Sequence, residues 1–376
     1  MDYSKFFSAD VPSFLRSPVR DIFKKVDLNA IYSFAGGYPN ASTFPLGEME
    51  HLAGEVVRKY GARSMQYGAT QGVTDLRKVL SDRYGVPIEN IQITTSSQQG
   101  IDVCSRILLD PGDVVIAENP VYLGALQSFR AYRATVVSPS DVTDKAKFIY
   151  VIPDFNNPSG KTKTLEERKK IVEFARERDL IIVEDSPYKE LRYEGSDVPS
   201  IYSLAPERTL HLGSFSKIFA PGFRLGWIFG PEELLEQIYI CKQCLDLCPP
   251  IFDQYMAAEF MGSGALDANL LKSKELYKGK RDYMLSLLEK YMPEGVTWTH
   301  PEGGLFLWLE LPEKVDTVAM YDSALAAGVA YVAGSFFYTD GSHRNTMRLN
   351  FSFLDTDRME AGIALLAEQI RLVLKS

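Results

Sequence analysis

Through the middle of the chain, apolar residues come in short unbroken blocks separated by stretches with helical spacing. IQITTSS (91–97), DVVIAE (113–118), KFIYVIPD (147–154), LIIVED (180–185) and RTLHLGSFS (208–216) read as strands. QQGIDVCSRILL after the first block and LEERKKIVEFARERD (165–179) repeat apolar residues every three or four positions, the mark of helices lying on a surface. Strands apolar on both faces, alternating with helices, belong to a mostly parallel sheet covered on both sides. The pattern changes near residue 250. A long helical stretch over roughly 252–291 is followed by a strand pair around WTHPEGGLFLWLEL (298–311), a helix near 316–327, the strand VAYVAG, the strand MRLNFSF (347–353) and a last helix. Strands interleaved with helices in this way predict a smaller α+β lobe. The expected organisation is an irregular N-terminal segment (1–45) packing with the small domain, a large α/β domain (46–250) and a small domain (251–376).

Composition narrows the function classes. A chain of 376 residues can bury two cores. Its 41 Lys and Arg against 49 Asp and Glu give a net charge of −8. That is the wrong sign for nucleic acid or an anionic lipid surface. Four cysteines, Cys104, Cys241, Cys244 and Cys248, are too few for a disulfide scaffold and point to a reducing compartment. The first residues hold no apolar signal region, and no apolar run is long enough to span a bilayer, so a cytoplasmic location is expected. Cys241, Cys244 and Cys248 are spaced for one helix face. With His51, His211, His300 and His343 scattered, they read as buried or interface thiols and no metal site is expected.

In an open parallel sheet, ligands bind at the carboxyl ends of the strands. Here those ends carry SSQQ (96–99), opening a helix, then DFNNPSG, EDSPY and GSFSKIFAPGFRLGW. Lys217 lies in a run that is otherwise small or apolar, where desolvation disfavours its ammonium and frees an amine to attack carbonyls. Ser214, Ser216 and Arg224 beside it suit a phosphate. Asp185 ends an apolar strand. It is either a turn acid or a buried carboxylate in need of a cationic partner, which a protonated pyridine nitrogen would supply. Asn157 in NNPSG is equally a turn former, and Tyr122 and Tyr188 are equally core aromatics. Asn157, Asp185 and Lys217 stand 28 and 32 positions apart, each step about one helix plus one strand. Together the set calls for a cofactor with a phosphate, an aldehyde, a pyridine nitrogen and a ring hydroxyl. Pyridoxal 5′-phosphate has all four.

With these motifs in order, the chain resembles the fold-type-I, class I/II PLP-dependent aminotransferases, and more narrowly the aminoadipate/kynurenine aminotransferase group. The resemblance runs from SPVRDIF and SFAGGYPNASTFP through QYGATQG, SSQQG, NPVYLG, DFNNPSG, EDSPY, GSFSKIFAPGFRLGW and EGGLFLW to MRLNFS. It implies the PLP-dependent transferase fold, with a seven-stranded, mostly parallel sheet between helices in the large domain and a small α+β domain. Lys217 would form the Schiff base and shuttle the proton. Asp185 would pair with the pyridine nitrogen, and Asn157 and Tyr188 would bond the ring hydroxyl. Tyr122 would stack on the ring. Ser97, Gln98, Ser214, Ser216 and Arg224 would hold the phosphate, joined by Tyr67 from the other subunit of a homodimer. Arg348 would fork the substrate α-carboxylate, and Gly36 and Gly37 would let the backbone approach it. Arg20 and Tyr38 would shape the side-chain pocket.

The implied reaction is ping-pong transfer of an amino group from 2-aminoadipate, an aromatic amino acid or a similar donor to a 2-oxo acid such as 2-oxoglutarate. A C–S β-lyase shares the motif set, and the same domain serves as the effector-sensing half of some transcription regulators. This chain departs from the family pattern at Ala69, where proline is frequent, and at Tyr38, where a smaller aliphatic residue is common.

Overall fold

The computed structural model describes residues 1–14, 30–141 and 143–375. Their elements run, in chain order, β1 (Tyr32–Ser33), α1 (Leu46–Tyr60), α2 (Thr74–Tyr84), β2 (Ile91–Thr94), α3 (Ser96–Leu108), β3 (Val114–Ala117), α4 (Leu123–Ala131), β4 (Thr135–Val137) and β5 (Ala146–Val151). There follow α5 (Leu165–Glu177), β6 (Ile181–Asp185), α6 (Ile201–Leu204), β7 (Thr209–Ser214), β8 (Gly226–Phe229), α7 (Glu232–Leu245), α8 (Ile251–Gly262) and α9 (Ala265–Tyr291). The chain ends with β9 (Thr297–Trp298), β10 (Phe306–Glu310), α10 (Tyr321–Ala326), β11 (Val329–Ala330), β12 (Val332–Ala333), β13 (Thr346–Asn350) and α11 (Thr356–Lys375).

The large sheet has seven strands in the order β2-β8-β7-β6-β5-β3-β4, and β8 alone is antiparallel to its neighbours. β2, β3 and β7 are buried along their whole length. Each sheet face buries its own apolar cluster, one around Val103, Phe129, Phe148 and Ile238, the other around Ile149, Val172 and Ile182. α5 begins cleanly because Thr164 and Glu167 form a reciprocal capping box. β8 starts on the last two residues of GSFSKIFAPGFRLGW and runs two residues past it. It becomes a strand because Gly226–Phe229 fills the gap between β2 and β7.

A second sheet, β12-β13-β10-β9, is antiparallel throughout, and β1 pairs in parallel with β11. Several expected elements are cut short for local reasons. The helical stretch over 252–291 is two helices, α8 and α9, because Gly264 adopts a left-handed backbone (φ 79°) between them. The helix expected over 316–327 shrinks to α10 because the Asp316 carboxylate accepts from the Val318 and Ala319 amides and closes a turn there. VAYVAG splits into β11 and β12, which pair with different partners on either side of buried Tyr331. MRLNFSF stops at Asn350, whose side-chain oxygen accepts from the Phe353 amide and turns the chain. α7 ends at Leu245, so Cys248 lies off the helix and the three thiols do not share one face. Cys244 is exposed rather than buried. Among the described residues, no cluster of three or more His, Cys, Asp or Glu is placed to hold a metal ion, and no helix is long and apolar enough to cross a membrane.

One buried ion pair connects this framework to the loop after β5. Arg168 on α5 and Asp154 are both fully buried and meet at 2.7 and 3.2 Å, and Arg168 also donates to the carbonyls of Pro153, Lys163 and Pro199. Removing one partner of such a pair leaves an uncompensated buried charge. Asp154→Asn is expected to lower unfolding stability by about 3 kcal/mol. Urea denaturation checks this, and a loss under about 1 kcal/mol would show that the carbonyls alone hold Arg168.

Candidate active site

The carboxyl ends of the parallel strands open into a cavity of about 900 Å³. Its lining draws together Gly37 and Tyr38, Ser97 and Gln98, Tyr122, Asn157, Asp185, Tyr188, Ser214, Ser216, Lys217, Arg224 and Arg348. These residues come from seven separate stretches of sequence; most converge because successive strands of a parallel sheet deliver their ends to one edge, while Arg348 arrives from antiparallel β13.

Asp185 is the last residue of β6 and is fully buried. Its Oδ2 accepts a 2.7 Å hydrogen bond from the Tyr150 hydroxyl. Its Oδ1 is also buried and has no partner. Burial pushes the carboxyl up to about 6, opposed by the Tyr150 hydrogen bond. A buried carboxylate oxygen left without a donor is costly, so this oxygen is open to an N–H or O–H donor entering the cavity.

Lys217, just past β7, donates from Nζ to the Gly37 carbonyl at 2.8 Å. Burial, reinforced by the positive charges of Arg348 and Arg224, pushes its amine down to about 8. The backbone can come this near only because residue 37 has no side chain. A Cβ there would sit 2.9 Å from Cζ of Phe306.

One end of the cavity is shaped for an anion. α3 starts at Ser96, which takes a left-handed backbone (φ 73°), and its Oγ accepts from Arg224 Nη2 at 2.8 Å. Arg224 is itself left-handed (φ 52°). The first-turn amides of α3, those of Ser97 and Gln98 included, have no intrahelical acceptor and form an anion site beside the guanidinium. Gly226 permits the approach, since a Cβ there would lie 2.7 Å from the Ser97 nitrogen. The Gln98 side chain is turned away onto α4. It donates to Gly124 O and Ser128 Oγ and accepts from the Tyr122 hydroxyl, so its backbone N–H is what it offers the cavity. Ser214 Oγ accepts from the Ser216 amide. Behind this loop, the wholly buried Lys242 side chain bonds Asp246 and Gln99, and Asp246 in turn holds Thr95 Oγ1 at 2.8 Å and Gln99 Nε2 at 2.7 Å.

The opposite end belongs to Arg348 on β13. Nη1 donates to Asn157 Oδ1 at 2.8 Å, Nη2 donates to Ala35 O at 2.6 Å, and the buried Nε has no partner. Its guanidinium lies over the rings of Phe306 (4.2 Å) and Phe337 (5.2 Å). Burial pushes it down to about 10. Tyr188 stands edge-on to Phe306 at 5.8 Å, and burial raises its hydroxyl above the ordinary tyrosine range. Tyr38 sits at the mouth, 40% exposed, against Phe353.

Tyr67 is expected at the site of the other subunit. Tyr67 is 78% exposed and does not line the cavity of its own chain. Arg20 lies outside the described residues. Three residues went unselected in the sequence reading. Ser96 had a signal, as the residue that opens a helix after a strand. Phe306 lies in the EGGLFLW motif without a cue of its own, and Tyr150 reads simply as a strand aromatic.

The comparisons with known proteins agree with this geometry. Residues 55–366 match the family model described as aminotransferase class I and II. The chain is 41% identical to aromatic-amino-acid aminotransferase 1 of Thermococcus litoralis, over 99% of this chain and 95% of that protein. It superimposes with a TM-score of 0.95 and 40% identity on a kynurenine aminotransferase from Pyrococcus horikoshii, solved in complex with PMP, KYN as substrates and KYA as products, covering 100% of this chain and 99% of that one. An alpha-aminoadipate aminotransferase from Thermus thermophilus, complexed with N-(5'-phosphopyridoxyl)-L-leucine, gives a TM-score of 0.94 and 32% identity over 100% of both chains. The ordered strand-end motifs, the cavity they form and a family match spanning most of the sequence lead to one conclusion: the chain belongs to the class I and II aminotransferases.

Proposed function

We propose that this aminotransferase, a pyridoxal 5′-phosphate enzyme, moves the amino group of 2-aminoadipate, an aromatic amino acid or a similar L-amino acid to a 2-oxo acid such as 2-oxoglutarate, in two half-reactions at one site. The observation that carries this reading is the pairing, in one cavity, of an unpartnered buried Asp185 Oδ1 with a buried lysine whose amine is pushed down to about 8. When bound, the cofactor supplies a carbonyl for amine exchange and a protonated ring that withdraws electrons.

The chain's own residues do the rest. Asp185 Oδ1 keeps the proton on the ring nitrogen. Asn157 and Tyr188 bond the ring hydroxyl, and Tyr122 covers the ring. Arg224, Ser214, Ser216, Ser96 and the amides of Ser97 and Gln98 hold the phosphate. Lys217 Nζ would take the proton from the substrate Cα and deliver it to the carbon that was the cofactor's carbonyl, on the far side of the nitrogen, which requires an amine that has given up its own proton. Arg348 receives the α-carboxylate, with Phe306 fixing the plane of its guanidinium. Tyr38 and Arg20 meet the substrate side chain at the mouth. Tyr67 and Met65, exposed large residues two positions apart, support a homodimer in which Tyr67 reaches the phosphate of the neighbouring site.

Three sets of measurements test this reading. With 2-oxoglutarate as acceptor, a donor panel followed by glutamate formation should show turnover of both 2-aminoadipate and aromatic amino acids. Arg348→Lys should lower kcat/KM for donor and acceptor alike by roughly 10- to 100-fold, the loss of one charge-assisted bond of about 1.5–3 kcal/mol. Turnover of neither donor class, or a variant with unchanged kcat/KM, would sink the substrate assignment or the Arg348 role respectively.

The second concerns Lys217. A lysine pKa lowered by burial means the amine is neutral above it and protonated below. In protein stripped of cofactor, labelling by an amine reagent, read by peptide mass spectrometry, should rise at Lys217 with a midpoint near pH 8. A midpoint in the ordinary lysine range of about 10.4 would show the site is not desolvated.

The third concerns assembly. Mixing Lys217→Ala subunits with Tyr67→Phe subunits should give hybrid dimers in which one of the two sites has both native residues. Activity must then exceed that of either parent. No recovery would place Tyr67 outside the neighbouring site.

A further inference from the structure

We infer that Tyr150 is a positioning residue for the ring-nitrogen end of this site: its hydroxyl fixes Asp185 so that Oδ1 faces the ring nitrogen and the shared proton stays on the ring. The inference rests on the cofactor reading above and adds to it a residue that does not line the cavity.

The geometry is specific. Tyr150 lies on β5, the neighbour of β6, in register with Val183 and therefore two residues before Asp185 along the adjoining strand. It is 1% exposed and packs edge-on against Phe129 at 5.3 Å, so its ring has little freedom to swing. The hydroxyl donates to Asp185 Oδ2 at 2.7 Å, in a setting without access to solvent. That bond occupies one carboxylate oxygen and leaves the other, unpartnered, as the acceptor available to the cavity.

The other titratable groups near Asp185 cannot substitute for Tyr150. Cys104 on α3 is buried and its thiol is pushed strongly toward the neutral form. His211, on β7, is engaged by Glu184 at 3.0 Å on the opposite face of the sheet. Tyr188 is held toward Asn157.

A donor to Oδ2 stabilises the carboxylate more than the carboxylic acid, whose carbonyl oxygen is the weaker acceptor. Between Asp185 and a pyridine nitrogen one proton has two places to sit. With Tyr150 in place, the ionised pair, carboxylate and pyridinium, is favoured. Without it, the N–H bond breaks, an O–H bond forms at Asp185 Oδ1, and both groups become neutral with no other reactant involved.

The test is nitrogen-15 NMR of holoenzyme loaded with ring-labelled pyridoxal 5′-phosphate, comparing native protein and Tyr150→Phe at one pH. The native protein should give a pyridinium shift and the variant a shift moved toward neutral pyridine, with cofactor released about tenfold more readily, the usual weight of one hydrogen bond to a charged group. The phenylalanine keeps the contact with Phe129, and near-UV circular dichroism should be unchanged. Loading both proteins with the cofactor methylated at its ring nitrogen, where the positive charge is permanent, should bring the ratio of variant to native kcat back near one. A pyridinium shift and cofactor retention that are the same in both proteins would overturn the inference and leave the functional reading standing. A native protein that takes up no cofactor would overturn both.

Discussion

Among the described residues, three cations and one carboxylate share the central cavity. Lys217, Arg224 and Arg348 all line it, and Asp185 is the acid among them. Buried charge that is not neutralised is expensive, and the protein meets that cost in two ways. Lys217 gives up its proton readily, pushed down to about 8, and Arg348 is pushed down to about 10. In the proposed function, the remaining positive potential would be matched by anions from outside, a phosphate at the α3 end and a carboxylate at the Arg348 end. Lys217 stands between them, its amine pushed down by burial first and by the two guanidinium charges second.

Holding such a set apart and aimed requires a rigid frame, and the chain places buried polar pairs behind the loops that carry it. Arg168 with Asp154 stands behind the segment bearing Asn157. Lys242 with Asp246 stands behind Thr95 and Gln99, which bracket the start of α3. On β6 the pleat sends neighbouring side chains to opposite faces. Asp185 meets the cavity, while Glu184 turns away to bond His211 and the first amides of α6. Neighbouring carboxylates thus serve chemistry and framework, a division set by which face of the sheet each enters.

The antiparallel small sheet contributes the counterpart wall. β13 carries Arg348, and β10 beside it carries Phe306, whose register partner is Asn350. The Asn157–Arg348 bond and the Lys217–Gly37 bond both cross between these parts of the chain, so the cavity closes only when the two sheets and the segment around Gly37 are assembled.

The strands of the large sheet were legible because a fully buried strand leaves an unbroken apolar block, and their order by itself puts Asn157, Asp185 and Lys217 at one edge. Residue type supplied the cofactor, since a desolvated lysine, a strand-end acid and small hydroxyls have few joint uses. Other features depended on contacts between distant segments, which no local period encodes. β8 became a strand because two others left a slot between them. The 252–291 helix broke at Gly264, and the thiols of Cys241, Cys244 and Cys248 separated where α7 ended. The free oxygen of Asp185 is defined only by Tyr150 occupying the other one from the adjacent strand. The sequence alone determined which chemical groups reach the sheet edge, because strand burial and chain order are local. Tertiary packing decided which of them are desolvated, partnered or left open, because those properties belong to the cavity and not to any one segment.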